Sequence, residues 1–581
     1  MRCFSTCACV FLSFSFSAVA GRAQGATGLA ATAQAAMDGA PAAGASGNEQ
    51  GNDHGDDHGR ILLVLPFDNR TGQPSLDWMR EAAADLLSSR FASAGFAPMT
   101  RADRIYALDH LGLPQNFQPS RASSVKLAQT LDADSIVVGD FRMDGTQMVA
   151  EAQLVDVPHL RMTETVTAEG ELKDMIAVFD SLAWKLARQL DPSLGIGEDT
   201  FVAEGKGLRL DSFEQYIRGI TEPDHAERLR HLEQAVKLSP GFSPAWMALG
   251  REQYQGQQYE EAAAAFAKVD REGPDGLEAG FYGGLSLMFS GNYAQAEKAF
   301  AEVAKTLPLA EVVNNEAVAA SRQGHDGTAL YVQAASADPN AADYHFNLAV
   351  SLKQEGKTGA ALGELAQCLK LRPTDSEAQT LEAAWKDGGA GQNGNTGGGA
   401  SGTPAGASPD PAGANAAANV DPLERIARAF DAAAFKQAAQ MMDQMDATRL
   451  AALSPKERAQ KLCAQAKGYL DRGLLLEAER LYQAAVTADG SVADGHAGLA
   501  EVRERTGDGA EARKEAKAAL ELAPSADAYL VLGRLDLADN DLNDAGSEAA
   551  QALKLEPGRQ AAKDLARQIE AHTGVPVGQS K

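Results

Sequence analysis

The chain has 581 residues with 44% hydrophobic content, enough for roughly three or four domains at about 150 residues each. Its 53 Lys and Arg stand against 79 Asp and Glu, a formal net charge of −26, which argues against sequence-independent binding to nucleic acid or anionic lipid. Three of the five cysteines lie within the first nine residues, leaving Cys368 and Cys463 as buried free thiols on separate helical segments with no zinc-type pairing.

Met1–Ala20 has the pattern of a secretory signal: Arg2, the apolar run Cys9–Phe16, then Ala18-Val19-Ala20 before a start at Gly21. No later run approaches the ~20 apolar residues that span a bilayer, so the expectation is an exported, soluble protein, periplasmic in a bacterial setting. The spacer 21–59 is rich in Ala and Gly and too poor in apolar residues to fold. Its His54 and His58 stand among aspartates but read as solvated, since nothing fixes a ligand geometry.

A domain follows over 60–192. Ile61–Leu65 is a continuous apolar run, the pattern of a strand buried on both faces. A helix is expected over Leu76–Ala94, a short strand over Phe96–Thr100, and helices over Ala102–Leu108 and Ser123–Leu131. A second buried strand, Ser135–Gly139, leads through an Asp144-Gly145 turn into Met148–Asp156. A strand over Met162–Ala168 and a helix over Met175–Leu190 complete a small α/β domain. Ile61–Gly72 (I-L-L-V-L-P-F-D-N-R-T-G), Ala133–Gly139 (A-D-S-I-V-V-G) and the later Gln153-Leu154-Val155-Asp156 resemble the amino-terminal α/β domain of the Tol-system protein TolB. The resemblance covers about Arg60–Leu190 and implies a non-catalytic envelope recognition domain; the β-propeller of that family is replaced by helices. Gly195–Gly207 completes no dinucleotide fingerprint and reads as a linker.

From residue 208 to 386 one interval dominates. Ala262 and Ala296, Phe266 and Phe300, and Pro240, Pro274 and Pro308 are each 34 residues apart. Trp246, Leu249 and Gly250 precede them; the next repeat ends at Pro339, 31 residues on, and another at Pro373, 34 further. This order resembles the tetratricopeptide repeat, with Gln253 where that family usually has Tyr. It implies helical pairs that must stack to bury their apolar faces. A Gly-, Ala- and Pro-rich linker is expected over 387–420, with relative motion of the blocks on either side. The period returns in a second block, 421–572, opening on a degenerate pair marked by Ile426, Phe430, Phe435, Ala438 and Met442. There Ala478 and Ala512, and Gly473 and Gly507, are again 34 apart, before a tail at 573–581. The fold class expected is therefore α+β multidomain: a small α/β domain followed by two all-α tetratricopeptide-type solenoids.

The resemblance places a stripe beside the core of each first helix on a concave surface. In register the stripe is Met247, Arg251, Tyr254; Phe281, Leu285, Met288; Asn315, Ala319, Arg322; and Phe346, Val350, Lys353. It runs from mixed through apolar to basic, suiting an extended peptide or helix with apolar anchors and an acidic end, unless some of its aromatics pack within the superhelix. The basic-and-asparagine clamp that chaperone co-factors use for acidic C-termini is not reproduced at matching positions. Gly356-Lys357-Thr358 ends like a phosphate loop but lacks its leading glycine, since position 351 is Ser351. Asp68, Asp140 and Asp144 follow strands and read as solvated ends. No nucleophile, base and orienting partner assemble, so no enzyme, cofactor or metal site is expected. The expectation is an exported scaffold that binds protein or peptide partners, in envelope assembly. A sensory module and an enzyme based on the α/β domain are the alternatives.

Overall fold

Strand β1 (Ile61–Val64) sends Leu62 and Val64 into one buried cluster; Leu63, with Leu65 just beyond the strand, enters the other. Burial on both faces is why the run shows no polar alternation. The computed structural model describes residues 61–114, 120–390, 422–428, 441 and 444–577, with backbone alone at 121 and 387–390. The expected signal, the spacer with its histidines, the linker from 391, the residues Phe430, Phe435, Ala438 and Met442, and the tail beyond 577 lie outside the described residues.

Strands β2 (Asp68–Asn69), β3 (Ala97–Pro98), β4 (Ser135–Asp144), β5 (Gln147–Asp156), β6 (Arg161–Met162) and β7 (Val166–Glu171) complete one sheet. Its order is β3-β1-β4-β5-β6, with β2 also on β4 and β7 on β5. The β1 strand runs parallel to β3 and β4, while β4 and β5 form a hairpin from Ser135↔Asp156 to Asp144↔Gln147, turning at Gly145 with φ +61°. Helices α1 (Trp78–Ser93) and α4 (Met175–Leu190) cover one face; α2 (Arg101–His110) and α3 (Arg121–Thr130) cover the other.

Two local expectations change. The strand expected over Met162–Ala168 is two strands, because Thr163 turns to hold Leu154, its amide and hydroxyl each bonding that residue's backbone at 3.0 Å. The linker around Gly195–Gly207 contains helix α5 (Glu198–Glu204), whose Thr200 and Phe201 are fully buried.

The repeats are helix pairs: α6 (Leu210–Thr221) with α7 (His225–Leu238), α8 (Ser243–Gln255) with α9 (Tyr259–Phe266), and α10 (Gly276–Phe289) with α11 (Tyr293–Thr306). Next come α12 (Ala310–Ser321) with α13 (Thr328–Ala337), α14 (Ala342–Gln354) with α15 (Thr358–Leu371), and α16 (Ser376–Ala390). The later set is α17 (Pro455–Arg472) with α18 (Leu475–Ala488), α19 (Ala493–Thr506) with α20 (Gly509–Leu522), α21 (Ala526–Ala538) with α22 (Leu542–Leu555), and α23 (Gln560–Thr573). Their packing follows the repeated residues. Ala262, Ala296 and Ala361 are fully buried where helices approach, and Phe266, Phe300 and Leu365 fill the space between. A methyl group on Gly250 would lie 2.8 Å from the Phe266 ring, and one on Gly284 equally close to Phe300; a glycine there admits the ring. Each buried Phe contributes about 1.5–3 kcal/mol over an exposed one. Pro308, Pro339 and Pro373 follow closely after their helices, but α9 ends at Phe266, well before Pro274. The residues between form a loop whose Asp270 and Glu272 pair with Arg472 of α17 at 3.4 and 3.1 Å.

That loop is one part of a dock that the sequence did not disclose. The later repeats sit on the α/β domain and α5. Glu479, fully buried on α18, accepts from the Gly197 amide at 3.2 Å and from the Thr200 hydroxyl, and pairs with Arg503. Lys206 donates to the Thr506 carbonyl at 3.2 Å, and Leu476 joins the α/β core cluster. That cluster also takes in Phe213, Ile217 and Leu249 of the first helical pairs. The independently moving blocks expected from the sequence are, among the described residues, packed on a common core.

Candidate peptide-binding groove

The first helices of the repeats present three fully buried asparagines: Asn314 and Asn315 on α12, and Asn347 on α14. A buried amide must find partners or cost about 1–3 kcal/mol. These find them on residues 422–428 of the same chain, which lie along the helices without helix or strand structure of their own. Asn347 accepts from the Arg425 amide and donates to the Arg425 carbonyl, both at 2.7 Å. Asn315 does the same for Ala427, both at 2.8 Å. Asn314 adds a bond to the Arg425 carbonyl at 3.0 Å, accepts from Asn347 at 2.8 Å and donates to Asn315 at 3.3 Å. The three amides therefore fix one another's orientation.

Paired bonds to residues i and i+2 require extended backbone, in which both residues turn N–H and C=O to the same side. The two asparagines stand in for the edge of a neighbouring strand. From its Arg425 contact on α14 to its Ala427 contact on α12, the segment runs counter to the order of the repeats.

Its side chains are read separately. The Glu424 carboxylate, 8% exposed, takes the Arg322 guanidinium at 2.9 Å and the Ser321 hydroxyl. Arg425 lies with its guanidinium 3.6 Å from the Phe346 ring centroid. It donates to both Asp375 oxygens at 2.6 and 2.9 Å, to Asp343 at 2.9 Å and to Glu377 at 3.1 Å. Bonding to Arg425 holds the Asp375 carboxyl below its usual value. Burial pushes Asp343 upward, but bonds from Arg372 and Arg425 outweigh it and leave it low. Ile426 and Ala427 pack against the cluster that contains Phe281, Leu285, Met288 and Tyr331. Arg428 lies over the Phe289 ring at 5.4 Å.

Of the stripe residues expected from the sequence, Asn315, Arg322 and Phe346 touch the segment directly. Phe281, Leu285 and Met288 are buried within the cluster beneath it. Met247 is buried among Ala262, Phe266, Val269 and Ala279, between helices rather than at a surface. Arg251 pairs with Glu278 at 2.7 Å. Tyr254 joins Tyr259, Tyr282 and Phe289 in an aromatic group. Lys353 instead reaches Thr358 at 3.1 Å and lies 5.7 Å over Trp385. The stripe did not include Asn314, Asn347, Asp343 or Asp375. The available signal was three asparagines inside helices whose other core positions, Ser351 apart, lack polar groups of that kind. Ile426 belongs to the segment in the groove, where the sequence had suggested the opening helices of the second block.

In the α/β domain Asp68 and Asp140 face each other across β2 and β4. Burial raises the Asp140 carboxyl, with Arg70 at 3.1 Å acting against that. Among the described residues no group of three or more His, Cys, Asp or Glu is placed to hold a metal ion, and no helix is long and apolar enough to cross a membrane. Cys368 and Cys463 are buried free thiols, and burial pushes the latter to about 11.

The family model described as tetratricopeptide repeat matches residues 228–276 and 463–527, so the chain contains such repeats in both helical blocks. No curated protein matches. Among solved structures, YrrB, titled a TPR protein with an unusual peptide-binding site, is 16% identical; the match covers 35% of this chain and 99% of that one with a TM-score of 0.27. A MamA structure is 15% identical over 28% of this chain and 96% of that one, TM-score 0.26. The LpoB C-terminal domain from Escherichia coli is 18% identical over 19% of this chain and 83% of that one, TM-score 0.17.

Proposed function

We propose that the protein is an exported, non-enzymatic scaffold whose first repeat block captures extended peptide segments of partner proteins in envelope-associated assembly. Tetratricopeptide repeats bind protein or peptide partners, and their presence supports the general role. The observation that carries the finer reading is the segment 422–428 lying extended in the groove, with its backbone clamped by Asn315 and Asn347. Backbone clamping supplies affinity while separate side-chain sites supply selectivity, the division used by strand-addition modes of peptide recognition. The α/β domain, whose sequence resembles the TolB amino-terminal domain, would act as a second recognition surface rather than a catalyst.

The test is affinity capture from a periplasmic fraction of the source cell with the full chain and with Asn315→Ala/Asn347→Ala. The proposal expects partners retained by the first and lost by the second. Equal recovery would remove the groove from the reading. Amino-terminal sequencing of secreted protein should begin at Gly21; an intact Met1 in a cytoplasmic fraction would refute export.

A further inference from the structure

We infer that the first-block groove is selective for extended peptides with the order carboxylate, arginine, aliphatic residue, alanine, and that Glu424–Ala427 is a built-in competitor for that site. The inference rests on the peptide-capture reading and adds to it the ligand's chemistry and the reason the groove is filled.

Each position of the segment meets a different kind of partner. The carboxylate site is Arg322 with Ser321, and Glu424 within it is almost wholly removed from water. The neighbouring site is its electrostatic opposite, built from Asp343, Asp375 and Glu377 around the Phe346 ring. A planar guanidinium satisfies both demands at once: a two-pronged bond to Asp375 and a face laid on an aromatic ring. An ammonium is a point charge and reproduces neither geometry. Exchanging acid and base along the peptide would set like charges together at both positions, a repulsive discrimination as well as a lost attraction. Ile426 and Ala427 lie against an apolar cluster, and the Asn315 clamp at Ala427 brings that backbone close to α12, favouring a small residue.

A tethered occupant has an effective concentration of roughly millimolar order, so an outside peptide of the same sequence must compete with it. The apparent affinity of the wild-type groove is then reduced by the fraction of molecules in which it stands open. The external ligand is a protein segment of the same chemical order, presented extended, at a concentration or valency sufficient to displace residues 424–427.

The experiment is fluorescence polarisation with a labelled synthetic peptide of sequence Asp421–Phe430 and the full chain. Arg425→Glu removes the guanidinium of the internal segment and leaves every groove residue in place. It should bind the peptide at least tenfold more tightly than wild type, and Glu424→Arg, which weakens the same segment elsewhere, should do likewise. On Arg425→Glu protein, a peptide with its Glu and first Arg exchanged should bind at least tenfold more weakly. Equal affinity of wild type and both open variants would overturn the competitor role. Equal affinity for the two peptides would overturn the selectivity. If both peptides bind with equal affinity but Asn315→Ala/Asn347→Ala abolishes each, selectivity alone fails and peptide capture stands. If the asparagine changes affect neither, the capture reading fails with it. Wild-type dimers that form with concentration and disappear in Arg425→Glu would place the segment in a second copy and overturn intrachain competition.

Discussion

Replacing Asn347 with alanine should release residues 422–428 as a unit. The change removes two bonds of 2.7 Å to the Arg425 backbone and one of 2.8 Å to Asn314. At about 1 kcal/mol net for each bond, the segment loses about 2–3 kcal/mol of holding free energy. With about 1.4 kcal/mol per factor of ten, its open population rises roughly 30- to 150-fold. Amide hydrogen exchange read by mass spectrometry on a fragment spanning 422–428 measures this. The informative proton is the Ala427 amide, because its own acceptor, Asn315 at 2.8 Å, is untouched. If the segment opens cooperatively, that amide accelerates together with Arg425. Acceleration at Arg425 alone, or at neither, would refute the claim that Asn347 anchors the segment. Lys353→Ala is the control: its contacts are to Thr358 and Trp385, and the exchange of residues 424–427 should not change.

Three further outcomes follow from packing and charge. Gly250→Ala should lower the melting temperature. The gain in helix propensity is about 1 kcal/mol, against about 1–3 kcal/mol for overpacking where the new methyl would stand 2.8 Å from the Phe266 ring; an increase in melting temperature would show that the ring yields freely. Burial raises the carboxyls of Glu204 to about 7 and Asp180 to about 6, with Arg90 opposing both shifts and Glu477 adding to that of Glu204. Acids whose folded values are raised bind more protons folded than unfolded, so stability is higher below their ordinary values and falls as pH rises through 4 to 7. Glu204→Gln should flatten that part of the melting-temperature profile, and an unchanged slope would exclude Glu204 as a contributor. Glu479→Ala leaves Arg503 without its buried partner, at a cost of about 3–5 kcal/mol. It should speed proteolytic separation of the later repeats from the α/β domain, whereas cleavage at the wild-type rate would mean that other contacts hold the dock.

The 34-residue interval determines the helical pairing, because ring-filling Phe266 and Phe300 and the small Ala262 and Ala296 each solve a purely local packing problem. Ile61–Val64 was equally legible, since a strand covered on both faces has to be apolar throughout. The repeat interval applied to Met247, Arg251 and Tyr254 puts Asn315, Arg322 and Phe346 in the stripe. Asn347 lies one position beyond Phe346 in sequence, and Asp343 and Asp375 also stand outside the stripe.

Tertiary structure alone decided two things. The contact of Glu479 with Gly197 and Thr200, from some 280 residues away, makes it a buried anchor. Ile426 fits a helical spacing in the sequence, yet residues 422–428 lie extended, because such a segment takes its order from the surface that holds it. Its bonds span from 48 residues, Arg425 to Glu377, up to 112, Ala427 to Asn315. A contact at such separation leaves no spacing signal along the chain, so sequence determined the repeats and the groove they line, while the occupant of that groove emerged only from the folded arrangement.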